Sequence, residues 1–232
     1  MSADITRRGF VGSAGAAVAA GLAAGAAGAQ DAGGGIKILG IATSYRKGKT
    51  TAAGVQACLD AAKAVDPRVE IELVDLAGLN IPGAVAAGIA LPEGQTDDFP
   101  KLAVKMLDPR VAGLIIGSPV YMGLMSSLCK AFIDRCSVFR KDFTLSGKVG
   151  GALAVAGARN GGQERVLMDL HGFFFGEEMV VVGDGKPTSH AGATLWNHWK
   201  DDITQDEEGM KTARHLGRRV AEVALKLAAG QK

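Results

Sequence analysis

The sequence predicts an α/β fold in which five parallel strands form one sheet covered by helices on both faces. Three observations carry this. Short apolar runs rich in β-branched residues alternate with segments of helical periodicity along the whole chain after residue 35. Several of those runs are apolar almost throughout, as strands buried on both faces are. The 232 residues are 47% hydrophobic and 22% charged, enough for a large core, and show no internal repeat or interior linker.

The first run, 36–41, follows Gly33-Gly34-Gly35 and reads as a fully buried strand. Residues 50–64 suit a helix with Val55, Cys58, Leu59 and Ala62 on one face. Residues 69–74 alternate apolar and acidic side chains, the pattern of a strand near a sheet edge. Residues 76–96 are punctuated by glycine and proline and are long for a loop, which marks them as functional or mobile. A helix over 99–107 and a buried strand over 111–117 follow, then a strongly amphipathic segment over 126–139. The fourth strand spans 148–156, a helix runs from near Gly162 toward Phe175, and the last strand covers 179–183. The closing helix, 206–227, lines up Met210, Ala213, Leu216, Val220, Val223 and Leu227. Ligands of such sheets sit beyond the carboxyl ends of the strands where strand order reverses. Function is therefore expected in the loops after the first, third and fourth strands.

Composition excludes several classes. A net charge of +2 with 5% aromatics argues against a nucleic-acid surface. Three cysteines are too few for a disulfide scaffold or a four-cysteine metal site. Glycine, 33 of 232 residues, is about twice its usual share and implies tight loops with close backbone approach.

The N-terminus reads as an address. Arg7-Arg8 precedes 21 uncharged residues dominated by alanine and glycine, ending in the small-x-small pattern Ala27-Gly28-Ala29. These features resemble a twin-arginine export signal, a route for proteins folded before transport, often with a cofactor inside. The expected organisation is a signal over 1–29, a short lead-in over 30–35 and one domain over 36–232. The protein is then periplasmic or otherwise exported, with no stable membrane span after cleavage.

The first loop places Ser44, Arg46, Lys47, Thr50 and Thr51 at a helix N-terminus, where free N–H groups and the helix dipole favour an anion. It lacks the G-x-G-x-x-G fingerprint and, with Thr43 in place of the first glycine, is not a Walker A loop. Alone it reads as a phosphate cradle or as a basic surface turn. The third-strand loop, Gly117-Ser118-Pro119-Val120-Tyr121-Met122-Gly123, offers extended backbone donors to a flat heterocycle. The fourth, with Gly157, Arg159, Gly161 and Gly162, lets a ring come close. Each, taken singly, is also ordinary punctuation between strand and helix.

Together these residues resemble the flavodoxin-like NAD(P)H-dependent flavin reductase family, in its branch related to iron–sulfur flavoproteins. The pattern S-x-R-K-x-x-[NT]-T falls on Ser44, Arg46, Lys47, Thr50 and Thr51. The block G-S-P-V-Y-x-G-x-x-S followed by K-x-x-I-D-R covers Gly117–Gly123, Ser126, Lys130, Ile133, Asp134 and Arg135, and G-G-Q-E covers Gly161–Glu164. The resemblance implies a three-layer sandwich with strand order 2-1-3-4-5 and FMN as cofactor. It places the phosphate on Ser44, Arg46, Thr50 and Thr51, and the isoalloxazine between Pro119–Gly123 and Gly157–Gly162. It further implies an FMN-dependent oxidoreductase, with NAD(P)H as possible donor and a small quinone or flavin as acceptor, assembled as a dimer or tetramer. Arg159 is expected either to stabilise negative charge near the flavin N1 and C2 carbonyl or to be a surface arginine. The alternative function is a non-enzymatic FMN electron carrier. Export complicates the donor, because nicotinamide nucleotides are scarce outside the cytoplasm.

The chain departs from iron–sulfur relatives in one respect: the loop after the second strand has no cysteine, so no cluster is expected. Cys58, Cys129 and Cys136 read as small core residues. No histidine spacing suggests a metal site. The segment with Trp196 and Trp199 reads first as plain packing, with an active-site wall or a subunit interface as alternatives. Glu177-Glu178 reads as a solvated turn.

Overall fold

Ile36–Ala42 (β1) is the strand on which the sheet is built: it pairs in parallel with Val69–Asp75 (β2) on one side and Val111–Tyr121 (β3) on the other. The computed structural model describes residues 35–230. The proposed signal and most of the lead-in lie outside the described residues. Beyond β3 come Val149–Ala156 (β5) and Val180–Val182 (β6), giving the order β2-β1-β3-β5-β6. This is the predicted 2-1-3-4-5 arrangement, with order reversing between β1 and β3.

Two short strands complicate the prediction. Leu124–Met125 (β4) folds back antiparallel on the end of β3. Ala193–Trp196 (β7) pairs with Leu153–Ala156 of β5, while β6 pairs with Val149–Gly151. The fifth sheet position is thus one edge in two pieces, with residues 183–192 looped out between them. Gly183 and Gly192 allow the excursion: a Cβ on either would fall 2.2 or 2.3 Å from a backbone oxygen. The buried Asp184 carboxylate ties it, accepting from the His190 N–H at 2.5 Å and from the Thr188 hydroxyl.

Helices cover both faces. Thr50–Lys63 (α1) and Glu207–Gly230 (α6) seal one core with Ile38, Ile115, Val149 and Leu153. The other core joins Leu39, Ile41, Leu114 and Ile116 to Phe99–Met106 (α2), Ser127–Arg135 (α3), Ser137–Arg140 (α4) and Gln163–Gly176 (α5). The predicted 126–139 helix is interrupted at Cys136, whose N–H is shared by the Phe132 and Ile133 carbonyls.

Much of the glycine excess lies under helices, not only in loops. Cβ atoms at Gly40 and Gly117 would strike Val55 of α1, and those at Gly113 and Gly151 would strike Val220 of α6. At Gly217, α6 lies directly against the Cys58 carbonyl of α1. Backbone contact of this kind brings both helices down onto the sheet.

Residues 76–98 contain a single 3₁₀ turn, Gly83–Ala87. They are held in place by Arg135, which bonds Asp97 at 2.7 Å, reaches the Pro82 carbonyl and lies over the Phe99 ring.

Candidate functional site

The parallel strands β1, β2, β3, β5 and β7 end at one rim, and a cleft of about 570 Å³ opens there, lined by the ends of β3 and β5 and by the loops after β1, β3, β5 and β7. Ligand pockets commonly hold roughly 300–1,000 Å³.

The loop after β1 is anchored from both sides. The Thr43 hydroxyl donates to the Gly117 carbonyl at 2.9 Å, and the Ser126 hydroxyl donates to the Thr43 carbonyl at 2.7 Å. The Gly48 N–H donates to Asp75 at 2.8 Å, with Gly48 in the left-handed region at φ +67. Helix α1 then begins at Thr50 with no side chain capping its N-terminus. Its first-turn N–H groups therefore remain available to an anion. Arg46 and Thr50 line the cleft. Thr51 is buried in the same turn, and Ser44 is buried with its hydroxyl accepting from the Arg46 N–H, so it shapes the loop. Lys47 is exposed and outside the cleft lining.

Pro119, Val120 and Tyr121 at the end of β3, and Met122 and Gly123 of the turn that follows, all line the cleft. Met122 and Gly123, at φ +51 and +77, turn the chain back into β4. Ser118 stands behind this wall: its buried hydroxyl donates to the Pro119 carbonyl and accepts from the Ser126 N–H. Ser126 in turn caps α3 through the Cys129 N–H at 3.0 Å.

The loop after β5 brings Gly157 and Gly161 to the cleft, and the buried Gln163 organises it. Its amide accepts from the Gly161 N–H at 2.9 Å and donates to the Ala158 and Leu195 carbonyls. Gly162, at φ +101, precedes α5 and packs against Gly123, joining the two loops without lining the cleft. Arg159 is engaged elsewhere: it pairs with the fully buried Asp206 carboxylate, lies over the Trp196 ring, and is not part of the cleft lining.

Sequence reasoning had the fourth loop only as an alternative active-site wall at Trp196 and Trp199, because it missed β7. Asn197, Trp199, Lys200 and Asp201 all line the cleft. Trp196 behaves as a packing residue, its Nε1 donating to the Gly157 carbonyl at 2.6 Å and its ring stacked on His198. His198 and Trp199 both take left-handed backbone angles, φ +54 and +58, rare outside glycine. That turn lays the exposed Trp199 indole against Gly157, where a Cβ would fall 2.6 Å from the ring. Asp201 crosses to the first loop, pairing with Arg46 and, at 3.3 Å, with Lys49. Hydrogen bonds from Lys49 and Arg46 hold its carboxyl below the usual range. The polar run Asn197-His198-Trp199-Lys200-Asp201, set between the last predicted strand and the closing helix, was the available signal.

The cleft thus has a cationic end beside an uncapped helix and an apolar, glycine-floored end walled by Tyr121, Met122 and Trp199. That arrangement suits an elongated ligand carrying a phosphate at one end and a flat ring system at the other.

A family described as NADPH-dependent FMN reductase matches residues 36–194. An iron–sulfur flavoprotein of Methanocaldococcus jannaschii is 38% identical over 191 residues, covering 81% of this chain and 97% of that protein. An NAD(P)H dehydrogenase (quinone) of Acidithiobacillus ferrooxidans is 29% identical over 153 residues, 60% of this chain and 70% of that one. Among solved structures, a flavodoxin, WrbA-like protein from Agrobacterium tumefaciens superposes with a TM-score of 0.57 at 18% identity, over 83% of this chain and 98% of that one. This last likeness is one of fold.

The iron–sulfur cluster in the archaeal relative's name does not fit the residues here. Cluster ligation commonly takes four cysteine thiolates. This chain has three cysteines, all buried and unpaired, with Cys58 in one core and Cys129 and Cys136 in the other. Burial pushes the Cys129 thiol up to about 11 and raises the other two as well. Among the described residues no group of three or more His, Cys, Asp or Glu is placed to hold a metal ion.

Proposed function

This chain belongs to the NADPH-dependent FMN reductase family, and from that premise we propose how its own residues serve the reaction. It is an FMN-dependent oxidoreductase drawing on NAD(P)H. The FMN phosphate is taken by the first-turn N–H groups of Thr50 and Thr51 together with Arg46. The isoalloxazine lies between Pro119–Gly123 and Gly157–Gly161, with Trp199 at its side. Bound FMN supplies the hydride and electron chemistry, and the protein supplies position and electrostatics. Ser44, Ser118, Gly162 and Gln163 hold the loops in register from behind. Arg159, committed to Asp206, is a structural residue of the third loop.

The observation that carries this reading is the continuity of one cleft from the uncapped helix α1 to the glycine floor of the β5 loop. The acceptor is a small flat oxidant such as a quinone or a flavin, taken at the open side beside Tyr121, Met122 and Trp199. The alternative of a non-enzymatic carrier gives way to the family assignment. Steady NAD(P)H oxidation by the FMN-loaded protein with a quinone tests the activity. In Arg46→Ala, FMN affinity should fall about tenfold to a hundredfold, as loss of a charge-assisted hydrogen bond predicts. Unchanged affinity would remove Arg46 from the site.

Export is the second part of the proposal. The twin-arginine segment supports transport of the folded, FMN-loaded protein. Accumulation of yellow protein in the periplasmic fraction, abolished in Arg7→Lys/Arg8→Lys, is the expected result; an unchanged distribution would overturn it. Among the described residues no helix is long and apolar enough to cross a membrane. We also propose a dimer or tetramer, supported by the exposed Met168 and Phe175 on one face of α5; sedimentation of a monomer would exclude it.

A further inference from the structure

The geometry points to Asp201 as the residue that sets how strongly the site prefers a phosphorylated flavin over an unphosphorylated one. The inference rests on the phosphate placement proposed above. Asp201 arrives from the loop after β7, 155 positions away in sequence from Arg46, and its carboxylate bonds Arg46 and Lys49 at once. These are two of the three cations carried by the phosphate loop, and Arg46 is the one that lines the cleft. The three side chains are 42–48% exposed, so the cluster sits at the cleft mouth and can exchange partners with an arriving ligand.

The helix donors of α1 have no competing side-chain cap, and among the described residues two carboxylates face the phosphate loop: Asp75, which holds the Gly48 N–H, and Asp201, which holds the Arg46 and Lys49 side chains. A phosphate at the same N-terminus meets the Asp201 carboxylate either as a competitor for the guanidinium and ammonium groups or as a like charge beside it. Both outcomes weaken binding of the phosphate. Neither touches a flavin that ends in a neutral ribityl hydroxyl. Asp201 therefore lowers FMN affinity while leaving riboflavin affinity alone, and keeps the cofactor exchangeable.

The full chain is loaded with FMN or with riboflavin, and each dissociation constant is read from recovery of flavin fluorescence on serial dilution. Asp201→Asn should tighten FMN roughly threefold to tenfold, the scale of two exposed ion pairs. Riboflavin should stay within about twofold, and Asp201→Glu should match the parent for both ligands. Unchanged FMN affinity, weaker FMN binding, or equal tightening of both flavins in Asp201→Asn would overturn the inference. Weaker FMN binding would make Asp201 a positioning residue for Arg46 instead. Arg46→Ala separates the two levels. If it weakens FMN but Asp201→Asn does not tighten it, only the role of Asp201 fails; if the parent holds FMN and riboflavin equally and Arg46→Ala changes neither, the phosphate placement fails too.

Discussion

Adding one methyl group at Gly117 should move the phosphate loop. Gly117 lies on β3 directly under the first turns of α1. A Cβ there would stand 2.4 Å from Val55 Cγ2, 3.1 Å from a Leu153 methyl and 3.4 Å from Thr51 Cγ2. The Val55 contact is about 1 Å closer than the 3.4 Å at which ordinary van der Waals contact begins. Val55 and Leu153 are both buried, so the strain goes into lifting α1. Overpacking of this size costs about 1–3 kcal/mol, which for a chain of this length lowers Tm by about 2–12 °C. The lift carries Thr50, Thr51 and Arg46 away from the β3 and β5 loops, so Gly117→Ala should also weaken FMN, by about tenfold if one charge-assisted hydrogen bond is lost. Gly40→Ala is the internal control. Its Cβ would press Val55 and Leu59 at 2.6 and 2.7 Å, under the same helix but farther from the loop. It should match the loss of Tm with a much smaller loss of FMN affinity. Thermal unfolding by circular dichroism and fluorescence titration with FMN supply both numbers. Equal FMN losses in the two variants, or an unchanged Tm in Gly117→Ala, would refute the coupling between helix packing and the cradle.

Two further predictions concern stability alone. Glu177 is buried with Oε2 unpartnered, and burial raises its carboxyl above the ordinary 4.5, against a smaller opposing effect of Arg140. The folded state then holds this proton longer than the unfolded chain does, so stability from this group is full below 4.5 and is lost as pH rises through the folded value. Glu177→Gln should therefore raise Tm at pH 7 relative to the parent, and the gain should shrink toward pH 4; a gain that is absent at pH 7 contradicts the burial. Arg135 and Asp97 form a pair with side chains 7% and 14% exposed, and removing one partner of such a pair costs about 3–5 kcal/mol. Arg135→Ala should lower Tm and open residues 76–98 to proteolysis; cleavage at the parental rate would show that the loop is held by other means.

The reach and limits of sequence reading follow from where each signal resides. Strands β1, β3 and β5 are buried along most of their length, so their apolar runs mark them, while the mostly half-buried β2 is marked by its alternation; the predicted bounds of all four hold closely at the N-terminal ends. Helices α1, α2, α5 and α6 follow from periodicity in the same way. The edge is different. Ala193–Trp196 is only four residues long, and its return to β5 depends on the tie from Asp184 to Thr188 and His190 and on the close approach of Gly192 to the Ala152 carbonyl, contacts that no helix or strand period encodes. Missing β7 meant missing Asp201 and leaving Trp199 as packing first and an active-site wall only as an alternative. The three motif loops were legible because helix starts and glycine turns are local features. The division of labour within them was not. Ser118 and Arg159 carry the right chemistry for a ligand, yet the Ser126 N–H and the Asp206 carboxylate engage them first. Glu177, read as a solvated turn, is buried because α5 ends against the core around Cys136, a tertiary contact that an acidic pair does not announce.

The most direct test of the account is a crystal structure of the chain grown with saturating FMN. The account predicts the phosphate within hydrogen-bonding distance of the Thr50 and Thr51 N–H groups and of Arg46, with the ring between Pro119–Gly123 and Gly157–Gly161. Flavin bound elsewhere, or no flavin in the cleft lined by Trp199 and Asp201, would contradict the account.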